Sequence, residues 1–167
     1  MNGGVKSQEM STQVNERKEP VRIGSLLGSF PHRLDPKRRI TIPSTFRTRM
    51  GTPDFVYVIP NLNDRKCLEI FQPAAFEQRL AHLNEAALTD QAAADFVTLI
   101  GTVSETLDID VQGRIRISDQ LLGHIGVDRD VVLIGAVNRI QVWAKGNEPT
   151  LADALARVNS AARTVQF

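Results

Sequence analysis

The sequence predicts an α+β fold, mainly β: one pseudo-symmetric, β-barrel-like body made from two tandem repeats, with flanking helices. Three observations carry that expectation. A ten-residue pattern occurs twice in the same setting, which is how a duplicated unit shows itself. Short runs inside each copy alternate apolar and polar residues, the mark of half-buried strands. The segments between and after the copies change to helical spacing.

Residues 34–43 read Leu-Asp-Pro-Lys-Arg-Arg-Ile-Thr-Ile-Pro, and 75 residues later 109–118 read Ile-Asp-Val-Gln-Gly-Arg-Ile-Arg-Ile-Ser. The shared pattern is apolar-Asp-x-x-x-Arg-Ile-x-Ile. Phe46 then falls at the offset of Leu121, residues 54–59 resemble 130–135, and 68–71 resemble 140–143. Ile40-Thr41-Ile42 and Ile115-Arg116-Ile117 read as strands, and the segment before each, with Pro36 in one and Gly113 in the other, reads as a turn. Ser118 and Asp119 mark the N-cap of a short helix that Gly126 stops; Gly51 stops its counterpart after Ser44. Two β-branched runs follow in each copy and read as hairpins, tight through Asn138-Arg139 and longer through 60–67.

Between the copies, Phe76, Leu80 and Leu83 form a helical stripe behind Pro73. Thr89 is the expected cap of a second helix that ends near Gly101. Leu151, Leu155 and Val158 mark a third helix behind Pro149. The organisation expected is a flexible tail over 1–23, a first module over 28–75, a helical connector over 76–101, a second module over 102–145, and a C-terminal helix and tail over 149–167. A unit of about 45 residues is at the edge of independent stability, so the two are expected to share one core.

Charge narrows the function. The chain has 20 Lys+Arg and 19 Asp+Glu, a net +1, but residues 1–50 hold 10 cations against 4 acids. The window 28–50 carries Arg33, Lys37, Arg38, Arg39, Arg47 and Arg49 against Asp35 alone. The matching stretch of the second copy is acidic. The longest apolar run, 131–137, is far shorter than the roughly 20 residues of a membrane span, and no signal pattern opens the chain. A soluble, cytoplasmic protein is expected. With one cysteine, no disulfide framework or multi-cysteine zinc site is possible within the chain. His32, His82 and His124 lack metal-ligand spacing, and no nucleophile-elbow, P-loop or zinc-protease pattern occurs. No enzymatic activity, cofactor, metal or small-molecule substrate is expected, and Cys67 reads as a small buried hydrophobe.

At these residues the chain resembles the MraZ family of bacterial transcriptional regulators, which carry two AbrB-like (SpoVT-AbrB) modules in one chain. The first signature is similar to 28–35, reading Gly-Ser-Phe-Pro-His-Arg-Leu-Asp, and continues through Lys37, Arg39, Pro43, Phe46 and Arg47. The second is similar to 110–115, with Gly126-Val127, Ile134-Gly135 and 139–143 behind it. The resemblance implies an AbrB-like, swapped-hairpin barrel that binds double-stranded DNA. It implies a ring of several subunits on repeated promoter boxes upstream of an operon for cell division and cell-wall synthesis. It places the DNA contact at the first Asp-x-x-x-Arg segment and the protein at the nucleoid.

The DNA-binding residues expected are therefore Arg33, Lys37, Arg38, Arg39 and Arg47. Arginine suits the task because its planar fork can grip a phosphate or a guanine edge. Asp35, Asp110, Gly113 and Arg114 are expected to be structural, each Asp accepting backbone N–H bonds and holding the Arg four residues on. Arg39 is expected to face DNA and Arg114 to fix its own turn. Arg38 stands where the family usually has Gly: either the turn differs locally, or Arg38 makes contacts that offset the strain. A module that docks an acidic protein partner is the competing reading.

Overall fold

The computed structural model describes residues 24–63 and 65–161; the tail expected over 1–23 and the last part of the C-terminal helix and tail, 162–167, lie outside the described residues. The first repeat supplies β1 (Ser29–Arg33), β2 (Arg39–Thr41), α1 (Ser44–Arg49), β3 (Phe55–Pro60) and β4 (Cys67–Phe71). Two connecting helices follow, α2 (Pro73–Ala87) and α3 (Gln91–Val103). The second repeat gives the same order: β5 (Glu105–Asp108), β6 (Arg114–Arg116), α4 (Asp119–Ile125), β7 (Asp130–Gly135) and β8 (Ile140–Ala144), with α5 (Leu151–Ala161) last.

Local signals account for the helix ends. Ser118 accepts the Leu121 N–H at the start of α4, and Gly126 leaves the helix at φ +64°, a left-handed stop that glycine adopts without steric penalty. Pro73 opens α2. For α3 the cap is Asp90, not Thr89: its carboxylate accepts the Ala92 N–H, which the Thr89 hydroxyl, turned back to the Ala86 carbonyl, does not.

The barrel expected from the sequence does not form. The strands make an open six-stranded antiparallel sheet in the order β1-β7-β8-β4-β3-β5, and β2 and β6 pair separately as a two-stranded ribbon. Among the described residues the edges β1 and β5 pair only with β7 and β3, so each repeat lends its first strand to the other repeat's hairpin. Closure is not needed to bury the core. The ribbon lays Ile40, Ile42, Ile115 and Ile117 on one sheet face, and α1 and α4 complete the cover with Phe46, Leu121, Leu122 and Ile125. The β1 edge is short and carries Pro31, which has no N–H to offer a further strand.

A pseudo-twofold axis passes between Ile40 and Ile115, which face each other in the ribbon, and between Glu69 and Gln141 in the sheet. Around it both repeats contribute to one core. The other sheet face is covered over the first repeat by α2 and α3, where Ile59, Phe71, Phe76 and Ile100 form a smaller cluster. Among the described residues no helix is long and apolar enough to cross a membrane.

Candidate nucleic-acid interface

The two Asp-x-x-x-Arg segments fold into the same turn, bond for bond. Asp35 Oδ1 accepts the N–H groups of Lys37 (2.8 Å) and Arg39 (2.9 Å); Asp110 Oδ1 accepts those of Gln112 and Arg114, both at 2.9 Å. The second oxygen takes the guanidinium, Arg39 Nε at 2.7 Å from Asp35 and Arg114 Nε at 2.8 Å from Asp110. A carboxylate so placed ties off a tight turn and fixes the arginine that leaves it. Partial burial opposes ionisation of Asp35. The Arg39 and Lys37 N–H groups and the Arg39 guanidinium outweigh it and hold the carboxyl below its usual range. For Asp110, hydrogen bonds from the Arg114 guanidinium and backbone lower it to about 2. The two arginines share the same pairing with their own Asp, and Arg39 alone also lies 4.0 Å from Asp110 across the axis through its Nη1.

The asymmetry is at the tips. Repeat two presents Val111, fully exposed, then Gln112 and Gly113; repeat one presents Pro36, Lys37 and Arg38. Gly113 turns at φ +78° and Arg38 at φ +59°, so the first turn keeps the left-handed geometry despite its side chain. Arg38 makes offsetting contacts: Nη1 donates to the Asp128 carbonyl at 2.9 Å, and Nε lies 3.1 Å from Asp119 at the start of α4.

The other expected contact residues divide by what already holds them. Arg33 pairs with Asp130 across the β1–β7 ladder at 2.9 Å, though its side chain stays 64% exposed. Arg47 donates to the Ile42 carbonyl and lies directly over Gly113. Lys37 is exposed, and among the described residues its ammonium makes no ion pair. Lys37, Arg38 and Arg39 line one open hollow with Pro36, Asp119 and Arg116.

Arg116 is a residue the sequence reading missed. It sits directly across the ribbon from Arg39, in the β2–β6 register. Its place in an alternating Ile-Arg-Ile strand marks it as outward-facing, but its neighbour could be known only from the pairing. Like charges opposed across a ladder are unfavourable unless an anion lies between or beside them.

A second polar cluster also escaped notice. Glu69 is buried near the pseudo-twofold axis and accepts from Asn61 (2.9 Å) and Arg139 (2.8 Å); Gln141 beside it accepts the Trp143 indole N–H. With its charge paired, this is framework at the join of the repeats. Cys67 is buried, and burial pushes its thiol up to about 12, far from a nucleophile's range. His32 Nε2 accepts the Thr41 N–H at 3.1 Å, linking β1 to the ribbon. Among the described residues no group of three or more His, Cys, Asp or Glu is placed to hold a metal.

Comparison with known proteins agrees with the two-repeat geometry. A family model described as "MraZ protein, putative antitoxin-like" matches twice, over residues 26–99 and 101–166. The chain is 31% identical to the "Transcriptional regulator MraZ" of Symbiobacterium thermophilum, over 71% of this chain and 83% of that one. It is 30% identical to the protein of that name from Finegoldia magna, over 71% and 80% of the two chains, and 27% identical to the one from Mycoplasmopsis pulmonis, over 78% and 86%. With each repeat matched by the model and relatives aligned over most of their length, the chain belongs to the MraZ family.

Proposed function

We propose that this protein is a sequence-specific, DNA-binding transcriptional regulator without enzymatic activity, and that the repeat-one turn is its DNA contact. The observation that carries the reading is the hollow lined by Lys37, Arg39 and Arg116. Arg116 faces Arg39 across the ribbon, and Lys37 stands unpaired beside them among the described residues; Asp35 offsets Arg39 and Asp119 also lines the hollow, so the charge open to an anion is that of Lys37 and Arg116. Asp35 orients Arg39, so its remaining donors meet a phosphate or base edge without first losing rotamer freedom. Lys37 supplies a point charge to the backbone, and Arg33 flanks the site. The equivalent tip of repeat two, Val111-Gln112, has no charge to offer phosphate and serves as frame.

One such turn is a weak grip. We further propose that several chains form a ring and engage repeated boxes upstream of the protein's own operon for cell division and cell-wall synthesis. Linked turns bind more tightly than any single one when box spacing matches subunit spacing. The names of the relatives, transcriptional regulators all, support the same reading.

The test is a titration of the purified protein against the duplex upstream of its own gene and against the same duplex with the repeats scrambled. Preference for the intact repeats by about a thousandfold or more is expected of specific recognition. Equal affinity for both duplexes would overturn the proposal and leave the basic hollow to an acidic protein partner.

A further inference from the structure

We propose that Arg38 is a positioning residue, one half of a reciprocal clasp in which each repeat's turn and the helix facing it share a single guanidinium. The pseudo-twofold axis relates Arg38 to Gly113 and Arg47 to Leu122, each pair 75 residues apart. In one half of the molecule the turn has Gly113 and the helix has Arg47. A Cβ at 113 would lie 2.5 Å from Arg47 Cζ, so the guanidinium would have to move aside, and the φ of +78° itself favours glycine. In the other half the turn has Arg38 and the helix has Leu122, a buried core residue.

The backbone is the same on both sides. Ile42 N–H donates to the Gly113 carbonyl at 2.9 Å, and Ile117 N–H donates to the Arg38 carbonyl at 3.0 Å. What differs is the element from which the guanidinium comes. Arg47 reaches from α1 over the second turn; Arg38 reaches from the first turn to Asp119 on α4 and to the Asp128 carbonyl. The left-handed conformation is unfavourable for a residue with a side chain. Arg38 keeps it because its two contacts tie the basic turn to repeat two. That tie sets the position of Lys37 and Arg39 relative to Arg116. Arg38 itself is thereby committed to the protein and leaves phosphate to its neighbours.

The structural half of this inference is independent of DNA; the binding half rests on the function proposed above. The test compares full-length wild type, Arg38→Gly, Arg38→Ala, Leu122→Arg and the double variant Arg38→Gly/Leu122→Arg. Melting temperature and the salt dependence of binding to the upstream duplex are read for each. Arg38→Gly is expected to weaken binding about tenfold, a coupling typical of contacting residues, with an unchanged salt slope. Arg38→Ala keeps the Cβ but loses the guanidinium and should melt below Arg38→Gly. Leu122→Arg alone sets a second guanidinium against Arg38 and should lower the melting temperature. The double variant recreates the Gly113–Arg47 arrangement and should melt above Leu122→Arg alone, because the turn no longer sets a second guanidinium against the new one. A double variant that melts no higher than Leu122→Arg overturns the clasp. A fall of about one in the salt slope for Arg38→Gly overturns it too, because Arg38 would then be a phosphate contact. If wild type shows no salt-dependent, repeat-selective binding, the DNA reading fails while the melting comparison still decides the clasp.

Discussion

Lys37→Ala is the sharpest single perturbation of the proposed contact. Lys37 is exposed on the turn tip, its ammonium makes no ion pair among the described residues, and its backbone N–H is already held by Asp35. Removing the side chain beyond Cβ therefore leaves the turn and its Asp35–Arg39 pair in place. Each phosphate neutralised by a protein cation adds about 0.9 to the slope of log affinity against log salt. A fourfold rise in salt then costs the wild type about 3.5-fold more affinity than the variant for every chain engaged, and roughly 12-fold for two adjacent chains. Fluorescence anisotropy with the upstream duplex at several salt concentrations measures this directly. The same difference counts the turns bound at once. Gln112→Ala, at the pseudo-equivalent tip, is the control and should follow wild type. Parallel salt dependences for Lys37→Ala and wild type would refute the assignment, because a cation without effect on counterion release touches no phosphate.

Other consequences concern the frame. Ile115 is fully buried at the axis opposite Ile40, so Ile115→Ala should cost about 2–5 kcal/mol in chemical denaturation, loosening both halves in one transition. Burial lowers the pKa of His32 from 6.5, and its Nε2 can accept the Thr41 N–H only when unprotonated. The stability it contributes is thus full above its unfolded pKa and is lost as pH falls through the lowered folded value. Melting temperatures should drop as pH falls below the ordinary histidine value of 6.5, and His32→Gln, with an amide oxygen to accept the same bond, should flatten the profile. Ser118→Ala removes the α4 cap and should cost about 1 kcal/mol by the same denaturation assay.

What the sequence shows and what it hides follow from where each interaction is encoded. The repeated Asp-x-x-x-Arg turns, the Ser118 cap and the Gly126 stop are local, each determined by residues within one turn of chain, and all are readable in the sequence. The sheet's openness is not local. Alternating residues identify strands but not their partners, and whether an apolar face is buried by closure or by the ribbon depends on contacts between the repeats. The same limit hid Arg116, whose importance comes from lying opposite Arg39 across a ladder between repeats. It also hid the fate of Arg38, whose partners Asp119 and Asp128 are far away in sequence. The charge gradient pointed to the turn that lines a basic hollow, where the pairing of Arg38 and Arg39 with acids leaves Lys37 and Arg116 without an ion pair among the described residues.

Two turns of one backbone geometry divide the labour in the function proposed above, and crosslinking to DNA distinguishes them. A photoreactive residue is placed at position 37 in one protein and at position 112 in another, and each is irradiated on the upstream duplex. A covalent DNA adduct is expected from position 37 and none from position 112. Adducts from 112, or equal yields from the two positions, would contradict that division of labour.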